Sequence, residues 1–250
     1  MRYLKVFENF DQDIDSICSS YGIEDYEVVN GLVNVNGDVL LYTKGLTKLP
    51  LKFGEVTGDF RCNDNELTSL EGCPSSVGGN FNCSYNELSS LEGCPDKVTG
   101  NFNCSNNKLT SLEGCPDKVG GHFYCNNNKL TSLEGCTDKV TGNFNCGHNK
   151  LTSLEGCPSS VGGDFNCSDN KLIDLLGIDY IGRSFNCGYN PVSRLWNLFK
   201  DNSKIELFNY MDPVRPAENE QPTLYLIAIN DFLKQIGKDP VTEVEGYNCE

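Results

Sequence analysis

The chain has little of what most catalysts and nucleic-acid binders are built from. Among its 250 residues there are two His, two Met and one Trp, and hydrophobic residues make up only 38%. No run approaches the ~18 apolar residues that a membrane helix needs. The first eighteen residues, MRYLKVFENFDQDIDSIC, hold no apolar core of a secretion signal and carry an acid by position 8. A soluble, cytoplasmic protein is expected. No G-x-S-x-G, phosphate-binding loop or H-E-x-x-H occurs, which removes the common hydrolase, nucleotide and zinc-protease signatures.

Positive charge is scarce as well. The formal net charge is −15, and it is spread along the chain, with no basic segment. A phosphate-tracking surface for DNA or RNA is therefore disfavoured. A solvated acidic surface is the simpler reading of this charge, and it says little about a partner.

What is abundant is Gly, at 25, and Cys, at 14. Such bias points to a repeated unit. The pattern F-x-C-x-x-N-x-L-x-x-L-x-G-C places its first cysteine at Cys62, Cys83, Cys104, Cys125, Cys146 and Cys167, each 21 residues after the last, with a shortened copy at Cys187. Val39, Leu41, Leu46 and Leu49 supply an earlier, divergent copy, which gives about eight coils. In Asn101-Phe102-Asn103-Cys104-Ser105 apolar and polar residues alternate, the period-2 mark of a strand. Phe102, Cys104, Leu109 and Leu112 are expected inside; Asn101, Asn103 and Ser105 are expected outside. Gly114-Cys115-Pro116 and Val119-Gly120-Gly121 read as the turns that return the chain. The recurrent Asn at 65, 86, 107, 128, 149, 170 and 190 is expected to satisfy backbone groups where each strand ends.

This string resembles the leucine-rich repeat core, L-x-L-x-x-N-x-L-x-x-L, with Phe and Cys in the first two Leu places. In detail it is similar to the short Asn- and Cys-rich solenoids of bacteria and tailed bacteriophages. The resemblance covers residues 37–190. It implies a curved leucine-rich repeat solenoid with a parallel β-sheet on the concave face, and a role in binding, usually of protein.

The cysteines recur at spacings of 11 and 10, with no C-x-x-C pair, so a four-ligand metal centre is not expected. Bridges between equivalent cysteines would distort strands ~4.8 Å apart. Buried thiols acting as small apolar groups are the better reading. The second set, Cys73, Cys94, Cys115, Cys136 and Cys157, is expected on the opposite wall, and Cys249 is expected to be the most exposed.

Two caps complete the organisation. Residues 1–36 hold a short amphipathic helix over Phe10–Cys18 and a strand or extended lead-in over Val28–Val35. Residues 191–250 concentrate large apolar side chains, Trp196 among them, and suggest a helix over Thr223–Ile236. This helical C-terminal cap could also pair two copies as a homodimer.

A repeat sets like groups in rows, whereas catalysis needs unlike groups brought together. No enzyme and no cofactor are expected. Recognition is assigned to outward positions of the strand face and its rim: Asp59, Arg61, Asn82, Tyr85, Asn103, His122, Tyr124, Asn145, His148 and Asn166. Aromatic residues and Arg among them are the usual hot-spot types. The partner is expected to be a protein gripped by the concave face. The alternative is a small polar ligand, such as a nucleotide signal or a sugar, held by the Asn-rich strands.

Overall fold

The computed structural model describes residues 13–205, 214–215, 223–245 and 247–249. They form a β-solenoid whose coils pass through two sheets rather than one. The Phe sheet has eight strands, from Val39–Leu40 through Phe60–Arg61 to Phe185–Asn186, and so spans seven full turns. All its pairings are parallel and in register, Phe on Phe along the stack. The second, or Val, sheet contains strands such as Ser76–Val77, Lys97–Val98 and Lys118–Val119, also parallel. The sequence suggests a turn at Val119-Gly120-Gly121. In the fold Val119 closes a two-residue strand, and only the Gly pair forms the corner. A strand this short carries too little alternation to be seen in sequence.

Six inward columns fill the solenoid. In one coil Phe102, Cys104, Leu109 and Leu112 are fully buried and Val119 nearly so, while Cys115 is half-buried. The Phe rings follow one another at centroid distances of 4.9 to 5.9 Å from Phe60 to Phe185. Ser105, expected outside, is buried instead, as are Ser84 and Ser168. The backbone curls inward just after each cysteine and takes these small hydroxyls with it.

The Asn column performs the bonding expected of it. Asn107 Nδ2 donates to the carbonyls of Cys104 in its own coil and Cys83 in the coil before, both at 3.1 Å, while Oδ1 accepts from Leu88 N–H at 3.0 Å. The same three bonds recur at Asn86, Asn128, Asn149, Asn170 and Asn190. One amide thus ties two coils together at a place where no strand pairing reaches.

All fourteen cysteines are free thiols. Burial, and the Cys62 thiol beside it, raise the Cys73 thiol well above the ordinary range. The two columns converge inside the core. Cys249 is half-buried, no more open in class than Cys73, Cys94, Cys115 and Cys136. Burial raises the thiols of Cys83, Cys104, Cys125, Cys146 and Cys167 well above the ordinary range, and that of Cys187 to about 12.

The N-terminal cap contains helix α1, residues 13–21, and a hairpin of β1 (Tyr26–Val29) and β2 (Leu32–Val35). Ile14 and Cys18 are buried against the first coil; Phe10 lies outside the described residues. The hairpin turns on Asn30-Gly31, both at positive φ (54° and 78°), the arrangement that suits a two-residue turn between twisted strands. β2 then pairs parallel with Phe53–Val56, so the hairpin prolongs the Val sheet. At the other end α2, Ser193–Phe199, sets Trp196 edge-on to Phe185 at 4.9 Å, and α3, Leu226–Gln235, brings Phe232 to 5.0 Å from Phe199. The aromatic column therefore runs on into the cap. Thr223–Leu224, expected as helix, is a strand between Val214–Arg215 and Asn248–Cys249.

Two outcomes are expected. Asn107→Ala leaves the Leu88 N–H unpaired, at ~1–3 kcal/mol, cuts the Cys83 and Cys104 carbonyls back to the single amide donors of Asn86 and Asn128, and should lower the urea midpoint. The buried thiols have folded pKa values above their unfolded ones, so their contribution is intact below about pH 8.5 and is lost as pH rises beyond it. Stability should fall by ~1.4 kcal/mol per pH unit for each such thiol. Cys104→Ala should make the measured slope shallower by one thiol.

Candidate functional site

The outer side of the Phe sheet carries three parallel columns, and the structure separates bonding residues from free ones. The first column is Asp38, Asp59, Asn80, Asn101, His122, Asn143 and Asp164. Each side chain accepts the backbone N–H of the next member: Asp59 Oδ1 from Asn80 at 2.7 Å, Asn101 Oδ1 from His122 at 2.8 Å, His122 Nδ1 from Asn143 at 2.7 Å. Glycines precede this column because the accepting atom lies over them; a Cβ on Gly121 would sit 2.3 Å from Asn101 Oδ1.

His122 thus stands in for Asn, with Nδ1 unprotonated and the proton on Nε2. Asp59, partly buried, is held below the usual carboxylate range by the Asn80 backbone and by Arg61, whose guanidinium lies 2.6 Å away. Asp59 and His122 are therefore ladder members as well as outward groups of the strand face.

The second column is Leu40, Arg61, Asn82, Asn103, Tyr124, Asn145, Asn166 and Asn186. The Asn members fold back, Oδ1 accepting from the N–H two residues on: Ser84 for Asn82, Ser105 for Asn103, Gly147 for Asn145 and Ser168 for Asn166, at 3.0–3.1 Å. Each of these amide oxygens thus already accepts one bond within its coil. Arg61 and Tyr124 have no oxygen in that place and give up the bond. Tyr124 lies 5.7 Å from the His122 ring.

The third column forms the corner after the strand: Thr43, Asp64, Tyr85, Asn106, Asn127, His148, Asp169 and Tyr189. Every member has φ between 53° and 57°. In each coil before the last, the N–H of this residue is bound to a carbonyl of the next, as Tyr85 N is to Ser105 O and His148 N to Ser168 O. The stack thereby fixes the left-handed backbone. Asn and Asp tolerate that region best and His is also enriched there, while Tyr adopts it at a greater cost. Tyr85 is 57% exposed and Tyr189 85%. His148 is exposed, with Nε2 3.5 Å from Asp169 Oδ2.

The structure thus gathers Arg61, Tyr85, Tyr124 and His148 on one face and rim, and binds Asp59, Asn82, Asn103, His122, Asn145 and Asn166 into the scaffold. Leu40 and Tyr42, 39% and 42% exposed beside Arg61, join the surface. Their outward direction follows from the inward Val39 and Leu41 between which they alternate. Among the described residues there is no group of His, Cys, Asp or Glu able to hold a metal, and no helix long and apolar enough to cross a membrane.

Fold and surface together define a β-solenoid repeat protein with an aromatic-studded polar face. No family model, curated protein or solved structure matches the chain.

The ladder role of His122 makes a sharp prediction. His122→Asn should leave the melting temperature close to that of the parent. His122→Leu, which removes the acceptor for Asn143 N–H, should cost ~1–3 kcal/mol in denaturant unfolding.

Proposed function

We propose that this chain is a non-enzymatic protein-binding module. It would be a solenoid of the leucine-rich repeat type, of bacterial or phage origin, whose partner meets the outer face of the Phe sheet and the adjoining corner. One observation carries the reading. At a corner where every residue is held in the left-handed region, Tyr85, His148 and Tyr189 replace the Asn or Asp that would sit there with less strain. A large exposed side chain at a strained backbone position gains nothing for the fold, so a gain in binding is the consistent explanation. Arg61 and Tyr124 point the same way, since each forgoes the side-chain bond that its Asn counterparts make.

At ~4.8 Å per coil, Tyr85 and His148 stand about 14 Å apart along the stack. That span suits a protein epitope better than one small molecule. A small polar ligand on the Asn rows is the weaker reading, because the carbonyls of Asn82, Asn103, Asn145 and Asn166 are already occupied. The leucine-rich repeat assignment rests on the Asn bonding and on the buried Leu-x-x-Leu pair. The second sheet in place of an outer helix is where the coil departs from the longer members of that class.

Tyr85→Asn should raise stability by ~1 kcal/mol by relieving the left-handed Tyr, and His148→Asn should act in the same direction. Both should weaken capture of the native partner in a pull-down from the host, with the parent chain as reference. Stabilised variants that retain full capture would sink the proposal.

A further inference from the structure

The Val sheet ends at β1, which pairs antiparallel with β2 and, among the described residues, has no strand on its other side. Asn36 N–H donates to Asp25 O at 2.8 Å inside the hairpin. Antiparallel ladders alternate, so Glu27 and Val29 turn their backbone groups toward β2, while Tyr26 and Val28 turn theirs outward to the open edge. Natural edges are blunted by Pro, charged side chains or a bulge; Tyr26–Val29 has one charge, Glu27, and no Pro or Lys. Val28, Val29 and Leu32 are 36%, 44% and 41% exposed there.

The hairpin and the sequence around it carry one sign of charge, and the adjoining Lys52 is paired with Glu71. Residues 22–43 include Glu24, Asp25, Glu27 and Asp38 and no Lys or Arg. On the outward face of the hairpin, Glu27 lies beside Asn34 and Glu55 is on the next strand, with Asp25 at the end. These four residues help to line a groove of about 350 Å³. Tyr26 and Val28 belong to the other face, shared with the buried Val33 and Val35.

We infer that β1 accepts an extended segment of another protein as a tenth strand, one with basic side chains on its outward face and apolar ones between them. Backbone bonds to Tyr26 and Val28 would supply the pairing. Basic residues would lie against Glu27 and the acidic groove, and apolar ones would extend the Val33 and Val35 face. A second copy of this chain fits less well, since antiparallel self-pairing of β1 would bring the two acidic hairpins together. This surface is distinct from the Phe-sheet face, and either can fail without the other.

The test uses the full chain and a fluorescein-labelled heptapeptide, Lys-Val-Lys-Val-Lys-Val-Lys, titrated by anisotropy. Saturable binding is expected, with none for the matching Glu-Val peptide. Val28→Pro removes an outward N–H without removing a hairpin bond, and should weaken binding at least tenfold at an unchanged melting temperature. Glu27→Lys should weaken it by a similar factor. Should Val28→Pro disturb the hairpin, a heptapeptide N-methylated on alternate amides makes the same test from the ligand side and should also lose at least tenfold. Equal binding by the Val28→Pro chain, or by the N-methylated peptide, would show adhesion by charge alone and overturn the inference. Concentration-dependent dimerisation of the parent chain that Val28→Pro abolishes would overturn it too, by giving the edge to a second copy.

Discussion

The structure depends on one side-chain amide per coil. Strands of two residues satisfy few backbone groups, and the corner after each strand would leave carbonyls of two successive coils facing inward without donors. Asn is well matched to that corner, since its amide offers donors and an acceptor on one short, planar stem. Asn107 serves Cys83, Cys104 and Leu88 together. Because the bonds link coil n to coil n − 1, the residue must recur at the coil period. The constancy of the 21-residue spacing is the sequence record of that geometry.

Other columns follow from this clamp. The first outer column repeats the device on the surface, one acceptor per coil for the next coil's N–H, and forces glycine beneath it. From Thr43 to Asp169 the N–H of each corner residue is bound to the next coil, so the corner is held at positive φ whatever side chain it bears. The inner Phe, Leu and Cys columns fill the space that the clamp encloses. Paired thiol columns suit this narrow interior, being small, apolar and able to touch across it.

Much of this was legible in the sequence. Period, Phe and Leu columns, buried thiols and the Asn clamp all announce themselves as residues that do not vary between copies. Three features were not. The Val strands are two residues long and abut Gly pairs, so local pattern reads them as turns. The hairpin is signalled by Asn30-Gly31 between apolar runs, a cue outweighed by the lead-in reading of residues 28–35. His122 breaks the pattern as a residue type yet preserves it as chemistry, because imidazole Nδ1 and amide Oδ1 present the same acceptor. Departure from a consensus is evidence of function only when the replacement cannot do the consensus residue's job.

That criterion reorders the candidates. His122 passes as an Asn substitute, and the Asn82, Asn103, Asn145 and Asn166 side chains are committed within their coils. Arg61 and Tyr124 fail to replace the bond of their column, and Tyr85, His148 and Tyr189 sit less comfortably than Asn in theirs. Each of these five trades a measurable amount of scaffold stability for a side chain directed at solvent. The ends of the solenoid obey the same logic. At the C-terminal side Trp196, Phe199 and Phe232 continue the aromatic column and seal the Phe sheet with apolar contact. At the N-terminal side β1 adds a strand to the Val sheet and moves its edge outward; among the described residues no strand lies beyond it, and Tyr26 and Val28 present their backbone groups there beside Asp25 and Glu27.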